Sequence, residues 1–265
     1  MDCHQQFEAL FTNPAPVLAL APMQDVTDLP FWRLMAGYGG ADVYFTEYFR
    51  VYATSRLEKN ILKSVTENPT GRPVIAQMIG NDIPALVRTA RELQQYPIAA
   101  VDLNLGCPAP VVYRKCAGGG LLREPQRVDA ILGALRDAVQ VKFSVKTRLG
   151  FDSAEVFPEL LRVFARHSLD LLTVHGRTVK EMYRSEVHYE FIARAVAALE
   201  HAKTVGDEHL KHVAPMALRH RLRRNPLDDS GSGVRVERAI MEWVQASCWK
   251  CLISSRLGST PVLSS

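Results

Sequence analysis

Six apolar runs of strand length alternate with stretches whose apolar residues recur every three or four positions, and this alternation narrows the fold more than any other feature. The runs cover residues 16–23, 42–47, 73–80, 99–103, 143–148 and 171–178. Between and after them lie Leu86, Ala90 and Leu93, then Val128, Ile131, Leu132 and Leu135. Leu160, Leu161 and Phe164, and then Phe191, Ile192, Ala195 and Val196, continue the helical spacing. Asn81-Asp82 before Pro84, and Asp152-Ser153 before Val156, carry the chemistry of helix starts. Six strands alternating with six helices predict a parallel sheet with crossover helices, either closed as a barrel or left open.

Polar residues recur where these runs end. In a closed barrel every strand C-terminus opens on one face, so Met23, Gln77, Asn104, Cys107, Lys146 and His175 would converge there. One buried amide or lysine is normally structural, whereas one on almost every strand points to a lined mouth. The most informative loop is Asn104-Leu105-Gly106-Cys107-Pro108, followed by Lys115 and Gly118-Gly119-Gly120-Leu121-Leu122. An ordinary thiol has a pKa of about 8.5, so at neutral pH it is mostly protonated and can donate a proton. The competing reading is a small buried cysteine in a Gly-Pro turn.

The chain has 265 residues, 47% of them apolar and 23% charged, enough for one domain with a substantial core. No apolar run approaches the roughly 18–20 residues that span a bilayer, and Met1-Asp2-Cys3-His4-Gln5 does not resemble a signal peptide. Five unevenly spaced cysteines make no disulfide framework, so a cytoplasmic protein without a membrane partner is expected. Residues 1–200 hold 22 Lys+Arg and 22 Asp+Glu, whereas residues 201–265 hold 10 and 6 and carry the whole +4. The excess peaks at Arg219-His220-Arg221-Leu222-Arg223-Arg224, a run suited either to phosphates or to solvent. Cys248-Trp249-Lys250-Cys251 stands without a second pair, and His201, His209, His212 and His220 fit no recognised spacing, so no metal is expected.

Taken together, these motifs resemble the tRNA-dihydrouridine synthases, flavin enzymes built on a TIM barrel. The matching pieces begin with Leu20-Ala21-Pro22-Met23, Val26-Thr27-Asp28, Phe31, Thr46-Glu47 and Gln77-Met78-Ile79-Gly80. They continue with Asn104 to Pro108, Lys115, Gly118 to Leu122, the stretch Val145-Lys146-Thr147-Arg148-Leu149-Gly150 and Val174-His175-Gly176-Arg177-Thr178. Each is weak alone; their order and spacing over residues 15–199 carry the resemblance. Thr46-Glu47-Tyr48-Phe49-Arg50-Val51 and Cys107-Pro108-Ala109-Pro110 look most like the bacterial C-type subgroup.

The resemblance implies a (β/α)8 barrel and reduction of the C5=C6 bond of a uridine in tRNA. NADPH would reduce flavin mononucleotide (FMN), hydride would pass to C6, and Cys107 would protonate C5 from the opposite face. It further implies that Pro22, Met23 and Gln24 approach the flavin through their backbone and that Gln77 bonds its pyrimidine edge. Lys146 would stabilise negative charge on the reduced ring, and His175 would sit beside flavin or base. Asn104 would hold the flipped uridine, and Arg50 and Arg177 would contact the tRNA. Tyr113 stands where many members carry asparagine. A monomer is expected.

After Leu199 the resemblance stops. A complete member continues with two further βα units whose turns hold the flavin phosphate, usually followed by a helical tRNA-gripping domain. The sequence therefore predicts an incomplete barrel of six βα units over residues 1–199 and an atypical basic tail over 200–265, disordered or partly helical. Within that tail 234–244 has the spacing of one amphipathic helix. A truncated or frame-shifted copy is the expectation for such a chain. Two further readings stay open: an inactive tRNA-binding remnant, and a flavin barrel reducing a free pyrimidine.

Overall fold

The computed structural model describes residues 2–12 and 17–204. The chain divides into units Met1–Ala217 and Leu218–Ser265, and every described residue belongs to the first. The tail over residues 205–265, with its basic run, the 234–244 helix and the Cys248–Cys251 pair, lies outside the described residues.

Seven parallel strands form one sheet in the order β1-β2-β4-β5-β6-β7, with β3 also paired to β4. They are β1 (Ala19–Leu20), β2 (Val43–Phe45), β3 (Phe49–Arg50), β4 (Val74–Ile79), β5 (Ala100–Leu105), β6 (Lys142–Arg148) and β7 (Leu171–His175). Among the described residues, β1 and β7 each pair on one side. The alternation of runs predicts this parallel sheet, and the incomplete barrel is what the resemblance and its end near Leu199 imply. All six predicted strands are present, and β3 is an addition: Phe49 and Arg50 pair with Met78 and Ile79.

Burial explains the apolar runs. Every residue of β4 and β5 is buried, as it must be in a parallel sheet covered on both faces. The helices are α1 (Cys3–Thr12), α2 (Leu29–Gly37), α3 (Lys59–Glu67), α4 (Ile83–Leu93), α5 (Pro110–Tyr113), α6 (Pro125–Ala138), α7 (Phe157–Ala165) and α8 (Tyr189–Thr204). Helix α4 starts where the sequence indicates: Asp82 caps it, its side chain accepting from the Ala85 N–H at 2.8 Å. Asp28 caps α2 in the same way at 3.0 Å. Leu86, Ala90 and Leu93 of α4 and Val128, Ile131, Leu132 and Leu135 of α6 bury the predicted faces. Helix α8 runs to Thr204, past the boundary expected at Leu199.

Helix α1 was not evident from the spacing. Its one buried residue, Phe7, packs with Val43, Ile75, Ala99, Ala100 and Leu171 toward the lower, N-terminal ends of the strands. Lys142 ion-pairs there with Glu8 and, at 3.2 Å, with Asp170. These contacts occupy the N-terminal ends of the described strands, and the polar strand-end residues lie at the opposite, C-terminal ends, the face for chemistry.

Candidate active site

Asn104, near the end of β5, shapes the loop that follows. Its Oδ1 accepts from the N–H groups of Gly106 and Cys107, both at 2.9 Å, folding the loop back on the strand. Cys107 is a reduced, half-buried thiol on this loop. Gly118, with φ of +53°, and Gly119 pack against it: a Cβ on Gly118 would meet Cys107 Cβ at 3.0 Å, and one on Gly119 the Cys107 carbonyl at 2.8 Å. Here the glycine run is needed for close backbone approach.

Register brings the neighbouring strands' polar residues alongside. Gln77 of β4 lies opposite Asp102 of β5, Asn104 opposite Lys146 of β6, and Arg148 opposite His175 of β7. Gln77 is fully buried; its Nε2 donates to Asp102 Oδ2 at 2.7 Å and its Oε1 accepts from Asn104 Nδ2 at 2.7 Å. Each amide can make four hydrogen bonds, so Gln77 keeps one N–H and one lone pair, and Asn104 keeps one N–H.

The electrostatics are dominated by burial and by clustered cations. Desolvation brings the Lys146 ammonium down to about 8, with Arg148 acting in the same direction and Asp102 and Cys107 opposing. Burial pushes the Asp102 carboxyl up to about 6 against its hydrogen bonds from Ser144 and Gln77. Burial, then Arg148, Lys146 and Arg177, holds His175 down to about 2, so the imidazole is neutral. Arg177 Nη1 lies 3.1 Å from His175 Nε2 and can only donate, which leaves the ring proton on Nδ1. Arg177 is itself fixed by Nε on the Ser185 carbonyl at 2.7 Å.

The turn after β1 carries Pro22, Met23 and Gln24. The Met23 carbonyl accepts from the N–H groups of Val26 and Thr27, and the Asp25 N–H donates to Glu47 beyond β2. Burial raises the Glu47 carboxyl above its ordinary value. Gln24 Oε1 is buried without a hydrogen-bond partner among the described residues. Arg50 stands apart from the cluster: it is exposed on β3, its backbone N–H on Glu58 Oε1 at 3.1 Å and its guanidinium 5.6 Å from the Tyr48 ring.

A family model described as dihydrouridine synthase (Dus) matches residues 19–202. The chain belongs to the dihydrouridine synthase family. Among its relatives, a probable tRNA-dihydrouridine synthase of Staphylococcus aureus is 31% identical over 181 residues, 68% of this chain and 55% of the relative. The tRNA-dihydrouridine(16) synthase of Neisseria meningitidis is 33% identical over 185 residues, covering 67% and 56%. That of Pseudomonas putida is 34% identical over 185 residues, covering 67% and 57%. The chain thus spans little more than half the length of these relatives. A second family model, AAA lid domain, matches residues 183–246, most of which lie outside the described residues.

The structure thus gathers Gln77, Asn104, Cys107, Lys146, His175 and Arg177 at one end of β4 to β7, and it places Arg50 outside that group. Sequence reasoning missed Asp102 and Arg148 as members. Arg148 is 2% exposed and donates to the carbonyls of Gly106 at 2.8 Å, Thr178 at 3.0 Å and Met182 at 2.7 Å. For Asp102 the signal available was a charge inside an apolar run, which a buried strand tolerates only with partners; Arg148, at the end of its run, carried no such signal. Among the described residues no group of His, Cys, Asp or Glu is arranged to hold a metal, and no helix is long and apolar enough to cross a membrane.

The ring end of a flavin suits the residues present. Gln24 Oε1 is a buried acceptor in need of a donor. Lys146 is a desolvated cation with no hydrogen bond or ion pair to another described residue, suited to charge gained on reduction. Residues for the cofactor phosphate, expected on seventh and eighth βα loops, are not found among the described ones.

Proposed function

We propose that this site reduces the C5=C6 bond of a uridine in tRNA, using FMN and NADPH, with Cys107 as the proton donor. The observation that carries the reading is the fixed placement of the Cys107 loop, bonded to Asn104, beside the desolvated Lys146. Reduction of this bond needs a hydride at C6 and a proton at C5; bound FMN, reduced by NADPH, supplies the hydride. The backbone of Pro22, Met23 and Gln24 would hold the ring, Gln77 would give its spare N–H and lone pair to the pyrimidine edge, and Lys146 would balance negative charge. Neutral His175 offers Nδ1–H toward ring or base. Asn104 offers its spare Nδ2–H to a uridine carbonyl, while Arg177 and the exposed Arg50 take tRNA groups. The S–H bond of Cys107 breaks as C5–H forms, leaving a thiolate beside Lys146 and Arg148.

The test separates the two half-reactions, with tRNA lacking dihydrouridine as substrate and position 16, carried in two relatives' names, examined first. Cys107→Ala should leave flavin reduction by NADPH nearly unchanged and slow uridine reduction by about 10²-fold or more. Equal loss in both steps removes Cys107 from the acid role. A protein that stays colourless with added FMN removes the cofactor.

A further inference from the structure

Asp102 has no solvent exposure and lies in register between Gln77 of β4 and Ser144 of β6. Its Oδ1 accepts from Ser144 Oγ at 2.5 Å and its Oδ2 from Gln77 Nε2 at 2.7 Å. Gln77 Oε1 accepts from Asn104 Nδ2 at 2.7 Å, and Asn104 Oδ1 accepts from the Gly106 and Cys107 N–H groups. The direction of every bond in this series follows from its first member. A carboxylate only accepts, so Gln77 must turn its nitrogen to Asp102 and its oxygen to Asn104. Asn104 must then turn its nitrogen to Gln77 and its oxygen to the loop. A flipped Gln77 amide would set nitrogen against nitrogen at Asn104 and, one step on, deprive the loop of its acceptor.

We propose that Asp102 is a positioning residue that aims the Cys107 loop by fixing the polarity of the Gln77 and Asn104 amides. It acts through other residues, from beneath the site. Its value to uridine reduction rests on the reading of Cys107 as the acid; its hold on the loop does not.

The test follows alkylation of individual cysteines by iodoacetamide in the full chain, read by peptide mass spectrometry. Cys116 is exposed and Cys3 sits on α1, where its thiol donates to the Ile98 carbonyl, so both serve as references within the same molecule. Asp102→Leu offers no acceptor, and the Cys107 rate should rise by about five- to tenfold, the worth of one net hydrogen bond, with Cys3 and Cys116 unchanged. Asp102→Asn keeps an acceptor oxygen for Gln77, while the Ser144 hydroxyl can turn to accept from the new amide. The Asn variant should therefore stay within about twofold of the parent. Gln77→Met breaks the series one bond further on and should match Asp102→Leu, which keeps the test available where the leucine variant fails to fold. An unchanged Cys107 rate in Gln77→Met, or equal changes at all three cysteines, overturns the proposal. The readout needs neither flavin nor tRNA, so a failed reduction assay and a failed positioning test remain distinguishable.

Discussion

The Arg148 guanidinium donates through Nε to the carbonyl of Gly106 across 2.8 Å, so the end of β6 supports the residue that precedes Cys107. Its Nη1 reaches the Thr178 and Met182 carbonyls beyond β7, tying the two loops together. Among the described residues no carboxylate pairs with it. Its role is that of a buried donor satisfying three backbone acceptors.

Replacing Arg148 should show this in stability before it shows in chemistry. Arg148→Met leaves three carbonyls without a donor, at about 1 kcal/mol or more each, so a loss of about 3 kcal/mol is expected in urea unfolding. Arg148→Lys, which lacks the rigid fork, should recover part of that. A variant as stable as the parent would mean that water replaces all three donors.

Gly119 tests the close approach behind Cys107. A Cβ there would lie 2.5 Å from Val179 Cγ2 and 2.8 Å from the Cys107 carbonyl. Gly119→Ala is expected to destabilise by about 1–3 kcal/mol. Gly133, inside α6, has only the His167 ring near its missing Cβ, at 3.5 Å. Gly133→Ala should therefore stabilise by about 0.5–1 kcal/mol through helix propensity. Urea midpoints of the two variants should move in opposite directions.

These residues also mark how far the sequence could be read. The strand runs were legible because burial on both faces demands apolar stretches, as at Ala99 to Val101 and Val74 to Ala76. Cys107, Lys146 and His175 stood out as candidates because each lies near or just past the C-terminal end of a strand run. Strand β3 was not, since Phe49 and Arg50 are two residues with no period to detect. Helix α1 was hidden by a polar stretch with a single buried anchor, Phe7. Asp102 and Arg148 owe their roles to partners on other strands and loops, 25 residues away for Gln77 and 42 for Gly106, beyond any local window.

The buried Asp102 carboxyl should leave a signature in stability against pH. Its folded value of about 6 exceeds the ordinary 3.8, so the native state holds its proton more tightly than the unfolded chain. That contribution is complete below about pH 3.8 and is lost as pH rises through about 6, amounting to about 3 kcal/mol. Asp102→Asn lacks the titration. Unfolding free energies from pH 4 to 7 should therefore shift in favour of the variant as pH rises. A flat difference across that range would show that Asp102 ionises as it does in the unfolded chain.

Lys146 offers a test of the site's electrostatics that needs no bound group. Its ammonium, brought to about 8 mainly by burial and next by Arg148, should titrate well below surface lysines near 10.4. NMR of reductively methylated protein should show one dimethyl-lysine resonance with a midpoint near 8, absent in Lys146→Met. Arg148→Met removes one neighbouring cation and should move that midpoint upward, because the protonated form is then less repelled. If FMN binds as proposed, Lys146→Met should also make the flavin harder to reduce below pH 8, where the parent ammonium is charged. As pH rises beyond 8 the difference should shrink, vanishing only above the higher value that the reduced ring's negative charge would give the Lys146 ammonium. A midpoint indistinguishable from surface lysines would place Lys146 in solvent and remove it from the site.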